Sequence, residues 1–433
     1  MFSRNRKSAR EEGLLAFARK YLPSGVRTPS GSPDQAMAIM EGRGSRIRDF
    51  SGNEYIDYLL GSGPMLLGHA HPAVVSAVRA QLDRGSSFLM VNEPAVLLAE
   101  EIVKAVPCAD RVCFNSSGSE STLFAMRMAR AHRRRDKILK FEGGFHGMSD
   151  YALMSNQWTR AIGHYPSPVP VSAGIPGAIE GEVLVAPYND LETTTAIIES
   201  HHEDLAGVIV EPMQRTIPPA PGFLEGLREV TEQYGIVLIF DEVVTGFRLA
   251  YGGAQQFYGV TPDLCALGKS ISGGHPISVL CGRDEIMSLA DPSRYGSGSY
   301  VMQTGTFSGN PVSCSAALAT IKQLKEDQVY DRLFATGRTL MDTLQQTLDG
   351  AGVSARVVGE APVFEVWFTD HEVTDFRAML TADAERHDRF TKLLLDHGIV
   401  KAHEKFFVST AHTDEDVKLT TEAFEAAAAE LAG

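Results

Sequence analysis

Short apolar runs alternate with helical patterns along most of the chain. The run 236–240 is rich in β-branched residues, which is typical of a strand buried on both faces of a parallel sheet. A second apolar run follows at 264–267. Similar patterns predict strands at 111–115, 137–141 and 206–210, and helices at 72–82, 93–105, 123–135, 191–201 and 312–323. Together they predict an α/β fold, with helices on both faces of a mostly parallel sheet.

The two ends of the chain are predicted to form a smaller α+β domain. Strands are expected at 357–368 and 398–407, and a helix at 383–397. An amphipathic helix is expected near the start, and two short strands within 46–58. We therefore predict three segments, which are an N-terminal segment with part of the small domain (1–64), a large domain (65–324) and a C-terminal small domain (325–433).

Length and composition limit the kinds of protein this chain can be. Its 433 residues suit a large domain with a smaller one. A net charge of −14 disfavours nucleic acid and anionic membranes as partners, and no apolar run reaches the roughly 20 residues that span a bilayer. Five cysteines without a Cys-x-x-Cys pair favour reduced thiols in a cytoplasm. His69 and His71 lack an acidic or cysteine ligand cluster, so we expect structural roles and no metal site.

A carboxylate and a lysine follow two of the predicted strands. Asp241 comes directly after the run 236–240, and Lys269 comes just after 264–267. Ligands of open α/β sheets bind beyond the carboxyl ends of the strands. Pyridoxal phosphate needs a lysine amine for its Schiff base and an acid to keep its pyridine nitrogen protonated. Taken alone, Asp241 is better explained as a helix cap and Lys269 as a surface lysine. The surrounding motifs therefore decide whether the two residues bind a cofactor.

Those motifs resemble a known family. The sequences IFDEVVTGFR at 239–248 and LGKSISGG at 267–274 are similar to the signature of the class III (ω-type) aminotransferases, which are fold type I pyridoxal-phosphate enzymes. The glutamate-1-semialdehyde aminomutase-like proteins are the subgroup that the chain resembles most. The resemblance runs from about residue 55 to 412, with several motifs in the same order. It implies that Lys269 forms the Schiff base and that Asp241 is the acid.

A small-residue turn after the strand 111–115 is a candidate phosphate site. Backbone N–H groups and hydroxyls at a helix N-terminus favour an anion, although a serine followed by a glutamate also fits a simple capping box. The family has NSGTEA at this place. The resemblance implies that Gly118 and Ser119 bind the cofactor phosphate, with Ser117 beside them.

The resemblance also implies contacts to the cofactor ring. Phe145 takes the place of the aromatic residue that stacks on the pyridine ring, and Val243 is expected to press on the opposite face. Gln214 stands in a Glu-Pro-x-Gln element, whose glutamine lies near the phenolic oxygen in many members. For His146 we favour a structural hydrogen bond. Thr306 lies in the segment that crosses the dimer interface in this family, which implies a homodimer with shared active sites.

Three residues are candidates for substrate contact. Arg27 lies in a Pro-, Gly- and Ser-rich loop but comes earlier than the arginine of the aminomutase pattern, so a carboxylate grip and a solvated arginine both stay open. Ser62 replaces a tryptophan of that pattern, which would widen the pocket. Glu404 matches a glutamate that gates the site in aminomutases, and its neighbour Lys405 offers a simple ion pair as the alternative.

The predicted function is amino-group transfer from an amino acid or amine donor to an oxo acid, ketone or aldehyde acceptor. The alternative is an aminomutase of the glutamate-1-semialdehyde type, which moves the amino group within one molecule. Gln214, Ser62 and the altered arginine loop favour the transaminase, whereas Glu404 and the Gly-Pro-Met segment favour the aminomutase. A cofactor-binding protein without turnover is the rival from another class. The displaced arginine and smaller pocket residue suggest a β-amino acid, an amino sugar precursor or an amine as substrate.

Overall fold

The computed structural model describes residues 7–23, 35–159 and 161–432. The chain divides into two compact units. The large unit comprises Ser76–Lys325 and Thr374–Arg377, and the small unit comprises Met1–Val75, Glu326–Val373 and Ala378–Gly433.

Strands and helices occur in both units. The strands of the described residues are β1 (Ile39–Arg43), β2 (Arg46–Asp49), β3 (Glu54–Tyr58), β4 (Arg111–Asn115), β5 (Lys137–Phe141), β6 (Val183–Ala186), β7 (Leu205–Val210), β8 (Val237–Glu242), β9 (Leu264–Leu267), β10 (Ser278–Gly282), β11 (Arg356–Glu360), β12 (Val363–Trp367), β13 (Ile399–Lys401) and β14 (Phe406–Phe407). The α-helices are α1 (Ala9–Tyr21), α2 (Pro72–Leu82), α3 (Glu93–Ala105), α4 (Gly118–Arg133), α5 (Leu191–His201), α6 (Phe223–Gln233), α7 (Gly253–Tyr258), α8 (Asp284–Met287), α9 (Pro311–Leu324), α10 (Val329–Gly350), α11 (Phe376–Met379), α12 (Ala384–Asp396) and α13 (Asp414–Ala432).

A seven-stranded sheet forms the centre of the large unit, in the order β4-β10-β9-β8-β7-β5-β6. All neighbouring pairs from β9 to β6 are parallel, and β10 is antiparallel to both β4 and β9. Every residue of β7 and β8 is buried, as expected for strands covered on both faces. The predicted α/β fold with a mostly parallel sheet is therefore confirmed.

Helix α4 packs on this sheet. Met128 and Ala129 share a buried cluster with Ile209 of β7 and Ile239 of β8. The helix begins at Gly118, five residues before the predicted 123, because Ser117 and Glu120 form a capping box that starts it early. Strand β8 likewise extends through Glu242, so Asp241 lies inside the strand rather than after it.

The small unit contains two further sheets, in the orders β1-β2-β3-β13 and β11-β12-β14. Two predicted strands are corrected here. The stretch 357–368 is an antiparallel hairpin of β11 and β12, since Pro362 lacks the amide hydrogen that a continuous strand needs. The stretch 398–407 is divided between the two sheets as β13 and β14. Between them Lys401 Nζ donates to the backbone oxygens of Ala402 and His403, at 2.9 and 3.0 Å, which bends the chain back.

The segment 148–182 contains no strand longer than an isolated bridge among its described residues. It ends in a short 3₁₀ helix, Gly177–Glu182. Across the described ranges of the chain, no helix combines the length and apolar character needed to cross a bilayer.

Candidate active site

Asp241 is held by two hydrogen bonds at the end of the sheet. It is 5% exposed, and its Oδ2 lies 2.8 Å from Nδ1 of the buried His146. Its Oδ1 accepts a hydrogen bond from the Val243 amide at 3.2 Å. His146 Nε2 is buried without a hydrogen-bond partner. The imidazole therefore fixes the orientation of the carboxylate, and the hydrogen bond of His146 is made to the candidate acid itself.

Lys269 stands at the same end of the neighbouring strand. Strands β8 and β9 are parallel, with Asp241 opposite Ala266, and Lys269 begins a 3₁₀ turn directly after β9 and Gly268. Its backbone has φ +37°, a left-handed conformation that is uncommon outside glycine. Burial lowers the pKa of the lysine to about 8, although the Asp241 charge acts in the opposite direction.

The first turn of α4 leaves two amides open to an anion. The backbone N–H of Ser117 donates to Glu120 Oε2 at 2.8 Å, and its hydroxyl donates to the same oxygen at 3.1 Å. Ser117 is thus engaged in the capping box. Among the described contacts, the amides of Gly118 and Ser119 have no acceptor, as is usual for the first turn of a helix.

Val243 packs between the start of α4 and the turn before Lys269. A Cβ on Gly118 would lie 3.0 Å from both Val243 methyl carbons, and a Cβ on Gly268 would lie 3.2 Å from one of them. Gly147, at φ +91°, approaches so closely that a Cβ there would lie 2.6 Å from Ser119 Cα. The glycines allow α4 and the turn before Lys269 to pack against Val243, and they allow the loop after β5 to approach Ser119 of α4.

Phe145 and Gln214 lie on the neighbouring strand ends. The Phe145 amide donates to Glu211 Oε1 at 2.7 Å, and its ring meets the Trp158 ring edge-on with centroids 5.2 Å apart. Gln214 Nε2 donates to the backbone oxygen of Glu142 at 2.7 Å. Gln214 Oε1 is buried without a partner, which leaves one acceptor for a bound molecule.

The remaining predicted residues lie in other places. Thr306 belongs to the large unit and is exposed, and its segment is anchored by Gln303 Nε2, which donates to Asn115 Oδ1 at 2.9 Å. Ser62 and Glu404 belong to the small unit. Ser62 is exposed with φ +71°, and the Glu404 side chain is 21% exposed. Arg27 lies outside the described residues.

Lys140 also belongs to this region, although no sequence motif predicted it. It lies inside β5 and is 1% exposed, and its Nζ donates to the backbone oxygens of Gly144, at 3.0 Å, and of Met154. Its charge in the middle of the apolar strand KILKF was the available signal, because fully buried lysines are rare without a specific partner.

These features fit pyridoxal phosphate. The site offers a lysine whose pKa is lowered, a buried carboxylate on a neighbouring strand, open helix amides for a phosphate, and unpartnered buried polar atoms at His146 and Gln214. A parallel α/β sheet with this donor set at the carboxyl ends of its strands defines a pyridoxal-phosphate-dependent enzyme.

Comparison with known proteins identifies the family. The aminotransferase class-III family model matches residues 28–427. The chain belongs to this family, as its motifs predicted, and pyridoxal phosphate is its cofactor.

Three relatives illustrate the range of activities within the family. A glutamate-1-semialdehyde 2,1-aminomutase from Pelotomaculum thermopropionicum is 43% identical over 96% of each chain. The crystal structure of an omega-transaminase from Sphaerobacter thermophilus is 35% identical, with a TM-score of 0.93 over 99% of each chain. A glutamate-1-semialdehyde aminomutase from Pseudomonas aeruginosa PAO1 is 25% identical, with a TM-score of 0.86 over 98% of this chain and 94% of that one. These similarities show the enzyme class. The relatives are named for two different reactions, which are aminomutation and transamination.

Proposed function

We propose that Lys269 binds the cofactor and moves the proton at the amino carbon of the substrate. Its lowered pKa supports this role, because a neutral amine is needed both to bind a carbonyl and to act as a base. Asp241, oriented by His146, keeps the pyridine nitrogen protonated. When bound, pyridoxal phosphate supplies an electron sink for the bonds at the amino carbon.

The other large-unit residues would hold the cofactor. The open amides of Gly118 and Ser119, with the Ser119 hydroxyl, would bind its phosphate, and Ser117 would act mainly through the helix cap. Phe145 and Val243 would contact the two faces of the ring. The unpartnered oxygen of Gln214 would accept from the ring substituent.

We further infer a homodimer whose partner contributes Thr306. The 86–92/302–310 face, formed by those two segments, is strongly apolar and open, with Leu89 73%, Val91 89% and Phe307 62% exposed. Asn92 Nδ2 donates to the Gly309 oxygen at 2.9 Å, so the two segments form one surface. Large exposed apolar patches usually mark interfaces. A cytoplasmic location stays a prediction from the cysteine usage.

Within the family, we propose the intramolecular reaction, in which an amino aldehyde that carries a carboxylate is isomerised. The observation that carries this proposal is the set of curated relatives at 37–43% identity that are named glutamate-1-semialdehyde 2,1-aminomutase. They favour the alternative over our main prediction from sequence. Glu404 and the Gly-Pro-Met segment agree with it, and Arg27 and Ser62 remain the candidates for substrate contact.

Transfer between two molecules is the second candidate. It is supported by the omega-transaminase structure, whose TM-score exceeds that of the aminomutase from Pseudomonas aeruginosa. The presence of Gln214 in the Glu-Pro-x-Gln element and the serine at position 62 also favour it. Under this proposal the donor is an amino acid or amine and the acceptor a carbonyl compound.

One experiment separates the two reactions. Purified holoenzyme is mixed either with glutamate-1-semialdehyde alone or with single α-, β- or ω-amino acids and amines. Rapid isomerisation of the aldehyde, with no lasting change of the visible cofactor band by the other donors, supports the aminomutase. Stoichiometric bleaching of the band by one donor class, reversed by a carbonyl acceptor, supports the transaminase and names its donor. A band that none of these compounds changes, without isomerisation, favours a cofactor-binding protein without turnover.

A further inference from the structure

The peptide bond between Gly144 and Phe145 is held at both ends by buried charged side chains. Its carbonyl oxygen accepts a hydrogen bond from Lys140 Nζ at 3.0 Å. Its N–H donates to Glu211 Oε1 at 2.7 Å. A peptide group is planar, so two bonds at opposite edges fix the direction of the plane from which the Phe145 side chain leaves the loop.

The two side chains come from adjacent strands of the sheet. Strands β5 and β7 are parallel, with Lys140 opposite Ile209, and Glu211 directly follows β7. Lys140 is 1% exposed and Glu211 is 6% exposed. The two side chains that hold the peptide are therefore buried and carried by paired strands of the central sheet or by the residue directly after one.

Burying the charged side chains of Lys140 and Glu211 opposes folding unless other interactions compensate. Burial lowers the pKa of Lys140 to about 7, while the nearby carboxylates of Glu211 and Glu142 act in the opposite direction. Burying a charged group costs free energy unless hydrogen bonds compensate for the lost hydration. Lys140 Nζ also donates to the Met154 oxygen, and Glu211 Oε2 accepts from the Arg215 amide at 3.1 Å. The contact that the two side chains share is the Gly144–Phe145 peptide.

The residues on both sides of that peptide are also fixed. Gln214 Nε2 donates to the Glu142 oxygen at 2.7 Å, and His146 Nδ1 lies 2.8 Å from Asp241 Oδ2. At Gly144 a Cβ would lie 3.1 Å from His146 Nε2. A tilt of the peptide would therefore displace both the Phe145 ring and the imidazole that orients Asp241.

We propose that Lys140 and Glu211 are positioning residues that clamp the Gly144–Phe145 peptide, and thereby set the ring of Phe145 and the His146–Asp241 pair against the cofactor. This inference rests on the proposed roles of Phe145 and Asp241. It adds two residues that do not touch the reacting atoms but control those that do.

The test uses Lys140→Met, which keeps the length of the side chain and removes the donor. In a Trp367→Phe background, Trp158 is the one remaining tryptophan, and its contact with Phe145 makes its fluorescence a probe of cofactor binding. We expect Lys140→Met to weaken cofactor binding about ten-fold, in line with the loss of a bond to a buried acceptor. The pH midpoint of the visible band of the bound cofactor should also shift, because a tilted peptide would displace His146, which orients Asp241.

Two comparisons make this test specific. Lys137→Met, on the same strand with only a distant ion pair to Asp204, should leave the affinity and the midpoint unchanged. Glu211→Gln keeps an acceptor for the Phe145 amide and should retain most of the affinity, whereas Glu211→Leu should lose it. If Lys140→Met does not fold, the two Glu211 variants test the proposal through the same two measurements, which are cofactor affinity and the pH midpoint of the visible band.

The inference is overturned if folded Lys140→Met, or folded Glu211→Leu, binds the cofactor with unchanged affinity and an unchanged pH midpoint. A lower melting temperature without those changes would mean that the residues serve stability alone, which also overturns it. Failure of the proposed reaction is distinguishable, since it concerns turnover by the wild-type holoenzyme and leaves both binding readouts intact.

Discussion

Lys269 shows how one side chain acquires its chemistry from its place in the fold. An ordinary lysine has a pKa near 10.5, and here burial lowers that pKa to about 8. The protonated form carries the desolvation penalty, so the neutral amine gains relative to it. The sequence motif named the residue, and burial at the strand end lowers the pKa of its amine toward neutral pH.

The rate of cofactor loading onto the apoenzyme should therefore rise with pH. With a pKa of about 8, about one tenth of the Lys269 amines are neutral at pH 7 and about one half at pH 8. Stopped-flow absorbance should show a rise of about five-fold over that interval and a plateau above pH 9. A rate that does not change between pH 7 and 9 would contradict the lowered pKa.

The lowered pKa of Lys269 also determines how this residue affects the free energy of unfolding as the pH changes. The pKa of Lys269 is lower in the folded state than in the unfolded state, so the folded state binds fewer protons between about pH 8 and the ordinary value of 10.5. The unfavourable contribution of this group is fully present below pH 8. It is relieved as the pH rises through that window.

At the scale of elements, the start of α4 combines a helix cap with a candidate anion site. Glu120 accepts both the amide and the hydroxyl of Ser117, whereas the amides of Gly118 and Ser119 point into no described acceptor. The sequence could not separate these two uses, because a capping box and a phosphate loop require the same small polar residues.

Two alanine variants should separate the two uses of this turn. Ser117→Ala should lower the free energy of unfolding by about 1 kcal/mol through the lost cap, with little change in cofactor affinity. Ser119→Ala should show the opposite pattern, with weaker cofactor binding and little loss of stability. Urea unfolding of the apoenzyme and fluorescence titration with pyridoxal phosphate measure the two effects. Equal effects of both variants in both assays would argue against this division.

Helix α10 offers a sharper test of packing within the small unit. Gly337 is buried, and a Cβ there would lie 1.9 Å from the Ala361 oxygen in the turn between β11 and β12. Gly337→Ala should therefore destabilise the protein by about 1–3 kcal/mol through overpacking. Gly350, in the same helix, has nothing within 4 Å of its added Cβ, so Gly350→Ala should be neutral or stabilising by up to about 1 kcal/mol. Thermal unfolding of both variants measures the difference, and similar melting temperatures would refute the predicted close contact.

At the scale of the whole molecule, the 86–92/302–310 face predicts association. Light scattering during size exclusion should give a dimer for the wild-type chain. Val91→Asp places a charge on a residue that is 89% exposed and should produce monomers with little activity, because Thr306 of each chain would no longer reach the other site. Leu22→Asp, at an exposed apolar position outside this face, is the matched control and should remain a dimer. A fully active Val91→Asp monomer would exclude shared active sites.

Local patterns by themselves determined much of this protein. The apolar runs predicted β5 and β9 with their full extents, and the helical patterns did the same for α2, α3 and α5. The motifs around Asp241 and Lys269 identified the family. Such motifs are visible in the sequence because their residues are neighbours along the chain and stay together at the end of one strand. The chain reversal at Pro362 and the split of 398–407 into β13 and β14 were missed.

Only the tertiary structure decided which distant side chains meet. The bond between His146 and Asp241 joins residues 95 positions apart, and the clamp on the Gly144–Phe145 peptide needs Lys140 and Glu211 from two paired strands. No periodicity encodes such contacts, since they depend on strand order and register. The sequence thus specified the chemical groups and the strand ends that carry them, whereas the packing of the sheet determined their orientation, burial and pKa.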